Sequence, residues 1–224
     1  MEGPLHNGAA LLFSGGRAKQ PRMAESEERF SKARLEAFSD GVIAVIITIM
    51  VLDLKAPESA EPAALFKLWP FFAIYLVSFV FVAIYWINHH NQLTAARYVN
   101  ARLIWANNAL LFALSLIPFA TAYVGDTGIA PFPTMVYGAL QFACGLAYNL
   151  FVSTIGADRR DDGEFMQRFR PRRMQDLAAL GVYAAGAALA LLSPIGAIAL
   201  YARVALAYLV PGLLAGAARR RRTH

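Results

Sequence analysis

Apolar residues gather along this chain into six long runs, at 34–54, 65–88, 102–124, 132–155, 175–192 and 196–216. Short clusters of charge, glycine and proline separate them. Each run reaches roughly the 17–25 residues that a helix needs to cross a hydrocarbon core, at about 1.5 Å per residue. The pattern predicts an all-α membrane protein with six transmembrane helices per subunit. The last two runs are divided only by Ser193-Pro194-Ile195-Gly196, which reads as a tight hairpin turn. The alternative at that point is one kinked helix of about forty apolar residues, far more than one span requires.

The first run is the least ordinary. It reads RLEAFSDGVIAVIITIMVLDL, and its first third carries Arg34, Glu36, Ser39 and Asp40. A carboxylate at a membrane edge is costly unless it is paired or faces water or protein. This helix is therefore expected to face the interior of a bundle.

Composition agrees with the membrane reading. Hydrophobic residues make up 58% of the 224, charged residues only 16%, and the mean hydropathy is +0.44. Soluble domains carry about 25% charged residues. The single cysteine, Cys144, lies in an apolar run, so the sequence offers no disulfide framework or cysteine metal site. The net charge of +6 is not a nucleic-acid footprint, because the basic residues collect in a few short segments. Of the 21 Lys and Arg, 18 fall before or at the first residue of the first run, in loops 89–102 and 156–174, or in the tail. With six spans these segments share one side, which the positive-inside rule makes cytoplasmic together with both termini. The domain reading is a cytoplasmic leader over 1–29, a six-span unit over 30–217 and a basic tail over 218–224. The leader's apolar piece at 9–13 is too short for a signal sequence. Met23, followed by AESEERF, looks like a start, and residues 1–22 read as disordered or as an upstream extension.

Three polar sets need partners. They are Arg34, Glu36, Ser39 and Asp40; the stretch Trp86-Ile87-Asn88-His89-His90-Asn91; and Asn107 with Asn108. In the six-span topology all three lie at one depth on consecutive helices, so they can form a single satisfied network. The plainer alternative is that they simply meet headgroups and water. His89 and His90 point about 100° apart on a helix, so they cannot clasp one metal as an i, i+4 pair would. No metal and no cofactor is expected. Arg203, near the outer end of the last run, is expected to snorkel or to pair with Asp126.

On a helical projection at about 100° per residue, Val45, Ile49 and Leu52 stand at about 0°, 40° and −20°. Phe38 and Gly41 share that stripe, Thr48 sits at its margin, and Asp40 lies about 140° away. From periodicity alone such a stripe is a core-packing face, and a pore needs further support.

The run Arg34-x-x-x-Phe38-Ser39-Asp40-Gly41, ending in Val51-Leu52-Asp53-Leu54, resembles the signature of the endosomal/lysosomal potassium channel family, the transmembrane protein 175 family. Trp86-x-x-His89-His90 is similar to its second landmark. With no internal repeat, the chain looks like the bacterial single-repeat branch. The resemblance spans residues 30 to 216 and implies a potassium-permeable channel, assembled as a homotetramer in the bacterial plasma (inner) membrane and lined by the first helix. It places Val45 at the narrowest aliphatic ring, Ile49 and Leu52 at further rings, and the Thr48 hydroxyl toward the ion. It groups Arg34, Phe38, Ser39, Asp40, Trp86, His89 and His90 as the network holding the pore helix at its cytoplasmic end. Valine at 45 is smaller than the leucine or isoleucine common in the family, which implies a wider constriction. The carbonyl filter sequence Thr-Val-Gly-Tyr-Gly does not occur.

The expected partners are potassium ions, further copies of the chain and the lipid bilayer, with no nucleic acid. A secondary transporter would show inverted repeats or matched broken spans, and only Pro118 suggests a break. A non-conducting membrane scaffold remains the other alternative. No nucleophile–base set or phosphate-binding glycine loop supports an enzyme.

Overall fold

The computed structural model describes residues 20–57 and 59–220, with side chains over 32–57 and 59–210. Among these residues eight helices follow in order: α1 Gln20–Leu52, α2 Pro62–Phe66, α3 Trp69–Ala95, α4 Ala101–Ser115, α5 Ile117–Asp126, α6 Pro131–Asp158, α7 Gly163–Ala190 and α8 Pro194–Arg220. The protein is an all-helical, multi-pass membrane protein. Among the described residues, four stretches are long and apolar enough to cross a membrane: Lys32–Leu52, Trp69–Ala95, Ala101–Asp126 and Pro131–Asp158. Pro194–Val210 is a shorter apolar helix. The first half of α7 carries Arg168, Arg170, Arg172 and Arg173, too much charge for a span.

Local sequence explains most boundaries. Asn100 caps α4 by accepting from the Leu103 N–H at 2.8 Å, and Asp162 caps α7 by accepting from Phe165 at 3.0 Å. Proline stands in the first turn of α2, α3, α5 and α6, where its missing N–H costs nothing. The third apolar run divides at Leu116, because Pro118 has no N–H to continue the ladder and its ring crowds the carbonyl four residues back. The run therefore becomes two helices, α4 and α5.

α1 starts at Gln20, and residues 1–19 lie outside the described residues. One expectation is corrected. The arginine-rich stretch 156–174 is mostly helix rather than loop: with Asp162 as cap, α7 begins at Gly163 and runs through Pro171. Between α7 and α8 the chain turns at residues 191–193, and the two helices pack together.

α1 packs on α3, α4 and α5; α6 packs on α4, α5 and α7. Two apolar clusters result. One joins Ile43, Ile46 and Met50 of α1 to Leu110, Leu114 and Phe151. The other gathers Phe81, Tyr137, Tyr183 and Tyr201. The tyrosines fit because glycines leave room. A Cβ on Gly186 would stand 2.3 Å from the Tyr201 ring, and one on Gly138 would overlap its hydroxyl.

Candidate functional site: the first helix and its polar anchor

α1 has two faces. Leu35, Ser39, Ile43, Ile46 and Met50, spaced three or four apart, are buried against the rest of the subunit. The opposite face shows Phe38, Gly41, Val45, Thr48, Ile49 and Leu52 to the outside. Val45 is 53% exposed, Ile49 43% and Leu52 77%. The stripe found by projection is thus not a core-packing face within the subunit. Thr48 turns its Oγ1 back onto the Val45 carbonyl at 2.9 Å, filling a donor without leaving the helix. Beside the stripe runs an open apolar groove of about 720 Å³, walled by Phe38, Gly41, Val45 and Ile49 and across from them by Ser115, Pro118 and Phe119. The proline break in the third run forms that far wall.

One end of α1 is laced to its neighbours by polar contacts. Glu36 Oε1 lies 2.6 Å from His90 Nδ1, and the Trp86 indole N–H donates to Asp40 Oδ1 at 2.9 Å. Four residues forward on α1 match four residues back on α3, as antiparallel helices in fixed register require. Below them Lys32 donates to the carbonyls of Thr94 and Ala96 at 2.7 and 3.0 Å.

Deeper in, Asn107 of α4 bridges the other two helices. Its Oδ1 lies 2.6 Å from His89 Nε2, and its amide donates to Ser39 Oγ at 3.1 Å. Ser39 passes its own hydrogen to the Leu35 carbonyl at 2.8 Å. All three side chains are fully buried. Because Asn107 presents a carbonyl, His89 donates from Nε2, and the hydrogen-bond pattern assigns that tautomer. Its Nδ1 is buried with no partner among the described residues, and its ring stacks on Phe151 at 5.0 Å. This arrangement suits a neutral imidazole.

The adjacent histidines therefore do separate jobs, His89 inward and His90 outward. Phe38 and Arg34 are both exposed, and Phe38, with no polar atom to offer, belongs to the outward stripe. Arg203 is exposed, and no ion pair joins it to Asp126 among the described residues. Sequence reasoning missed Lys32 as a tie to α3 and Phe151 as the platform for His89. Neither carries a local signal, since one is a lysine in a basic segment and the other a phenylalanine in an apolar run.

The basic loops meet at this same end. Arg97 donates to both oxygens of Asp161 at 2.9 and 3.0 Å, and Arg159 donates to the Ala95 carbonyl at 2.8 Å. The Arg97 bond holds the Asp161 carboxyl below its usual range. The Phe165 N–H, then Arg159, do the same for Asp162.

Residues 34–118 match the family described as "Endosomal/lysosomal potassium channel TMEM175". The chain is 39% identical over 181 residues to a protein of Chryseobacterium sp. (strain P1-3) named as a potassium channel, covering 81% of this chain and 94% of that relative. The chain belongs to the TMEM175 family. It superposes with a TM-score of 0.73 on the crystal structure of a lysosomal potassium-selective channel TMEM175 homolog from Chamaesiphon minutus. That likeness has 25% sequence identity and covers 81% of this chain and 97% of the other. The Gallus gallus protein named "Endosomal/lysosomal proton channel TMEM175" is 25% identical over 159 residues, which make up 30% of its length. TMEM175 proteins are channels, not enzymes, and the matched segment contains the whole stripe of α1 and Glu36, Ser39, Asp40, Trp86, His89, His90 and Asn107 of its polar anchor.

Proposed function

We propose that this TMEM175 protein is a potassium-permeable cation channel of the bacterial inner membrane, with both termini cytoplasmic. Six helical rods per subunit cross the bilayer, and four subunits surround one pore lined by α1. The observation that carries the reading is the exposed aliphatic stripe of α1. Val45, Ile49 and Leu52 lie on the side that its own subunit leaves uncovered, while the opposite side is locked by buried contacts.

Four copies of Val45 around an axis make a narrow, dry constriction that closes by dewetting, with Ile49 and Leu52 as further rings. Thr48 offers a hydroxyl ring at the stripe's edge. Such a pore favours the more easily dehydrated potassium over sodium without carbonyl ligands. The lattice of Ser39, Asn107 and His89, with Asp40–Trp86 and Glu36–His90, fixes the end of α1, so that gating is a small rotation or dilation above this anchor. The concentration of basic residues at the anchored end supports its cytoplasmic placement.

The test is cation flux in liposomes containing purified protein, wild type beside Val45→Asn. A polar ring keeps the constriction wet, so potassium flux is expected to rise and the potassium-to-sodium ratio to change. Proton flux measured in the same vesicles separates potassium conduction from the proton conduction named for the chicken relative. A folded protein with no flux in either form would overturn the channel reading.

A further inference from the structure

On the far side of the subunit from the α1 stripe, α3, α6, α7 and α8 enclose a second polar site that pore function does not use. At its base Asp176 is 9% exposed, and among the described residues its carboxylate accepts a single hydrogen bond, from the Tyr208 hydroxyl at 2.8 Å. Among the described residues no cation lies within ion-pair distance of it. The nearby Arg173 is turned onto Ser153 Oγ at 2.7 Å. Asn149, 6% exposed, lines the same space; its amide donates to the Gly145 carbonyl, and its Oδ1 is closed off from the cavity.

The inner chamber holds about 30 Å³, room for one group the size of a water. Its walls are the aromatic side chains of Phe81, Tyr85, Tyr148, Tyr183 and Tyr208. It adjoins a mouth of about 270 Å³ that shares Asn88, Tyr148, Asp176 and Tyr208, with Arg172 exposed at the rim.

A buried carboxylate that forms no ion pair among the described residues, with aromatic side chains around it, asks for a compact cation carrying hydrogen-bond donors. We infer that this chamber binds the ammonium head of a small primary amine, with the rest of the molecule in the mouth. The –NH3+ group brings three donors. Asp176 accepts one of them, and the aromatic walls supply cation–π attraction. A quaternary head is too large for the inner chamber and has no N–H. A bare alkali ion would leave the mouth unused.

Calorimetric titration of the full-length protein in detergent with n-propylammonium chloride, at constant ionic strength, tests the inference. Saturable one-site binding is expected, with no response to n-propanol. Asp176→Asn should weaken binding at least tenfold, and Tyr148→Leu, which removes an aromatic wall, several-fold. If Asp176→Asn fails to fold, Tyr148→Leu carries the test, since it keeps the carboxylate. In nanodiscs, loss of the titration when ethanolamine lipids replace choline lipids would place the natural ammonium on a lipid headgroup. Its persistence would make the ligand a free amine. Absence of saturation, binding unchanged in Asp176→Asn or Tyr148→Leu, or equal competition by potassium would overturn the inference.

Discussion

Val45 and Ile46 are consecutive in the sequence and face opposite worlds: Val45 is 53% exposed and Ile46 is 3%. The step of about 100° between them carries one to the outward stripe and the other into contact with the subunit core. Their substitutions should separate accordingly. Ile46→Ala removes buried methylenes and is expected to destabilise the subunit by about 2–4 kcal/mol. Val45→Ala should cost about 0.5 kcal/mol or less while altering flux. Thermal unfolding in detergent beside liposome flux measures both, and equal destabilisation would contradict the two-faced helix.

Asn107 is the only side chain in the described lattice that touches both Ser39 and His89. Asn107→Leu leaves the His89 Nε2–H without its acceptor and is expected to cost about 2–3 kcal/mol. Ser39→Ala removes one bond and should cost about 1 kcal/mol. The double variant should cost less than the two combined, because both act on one network. Chemical or thermal unfolding of the three proteins checks the cycle.

Much of this anchor could be read directly from the chain. Asp40, Ser39, Trp86, His89 and His90 are polar residues at one depth on helices of known direction, so partnership is close to forced. Which partner each takes is less accessible. Asn107 became the bridge because α4 enters at the level of Ser39, a packing detail that no spacing encodes. The start of α7 was hidden for a different reason. Arg168, Arg170, Arg172 and Arg173 look like a loop by charge, whereas the Asp162 cap makes them helical. Asp176 was obscured by those same arginines, and its burial depends on Tyr208, distant in sequence on α8.

Tyr201 fits between α6 and α7 only because residues 138 and 186 are glycines. Gly186→Ala pushes a methyl into its ring and is expected to destabilise the subunit by about 1–3 kcal/mol. Pairing it with Tyr201→Leu should recover part of the loss, and thermal unfolding of the pair decides the matter.

The tie between Arg97 and Asp161 should depend on pH in one direction. The folded carboxyl titrates below its unfolded value of about 4. Its contribution is therefore complete above that value and is lost as pH falls through the folded pKa. Comparing Arg97→Ala with wild type by thermal unfolding between pH 8 and 3 should give a constant difference down to about pH 4 that shrinks below it. A difference that grows with acid would show that another group controls this end.

In the proposed pore Val45 faces a shared axis and Ile46 does not. The most direct measurement places a cysteine at each position in turn, in a Cys144→Ala background, and follows potassium flux in liposomes as cadmium is added. Four thiols around one axis form a tight site for a soft divalent ion. The account predicts that Val45→Cys conducts and is blocked by micromolar cadmium, while Ile46→Cys conducts unaffected. Block at Ile46→Cys, or unblocked flux through Val45→Cys, would contradict it.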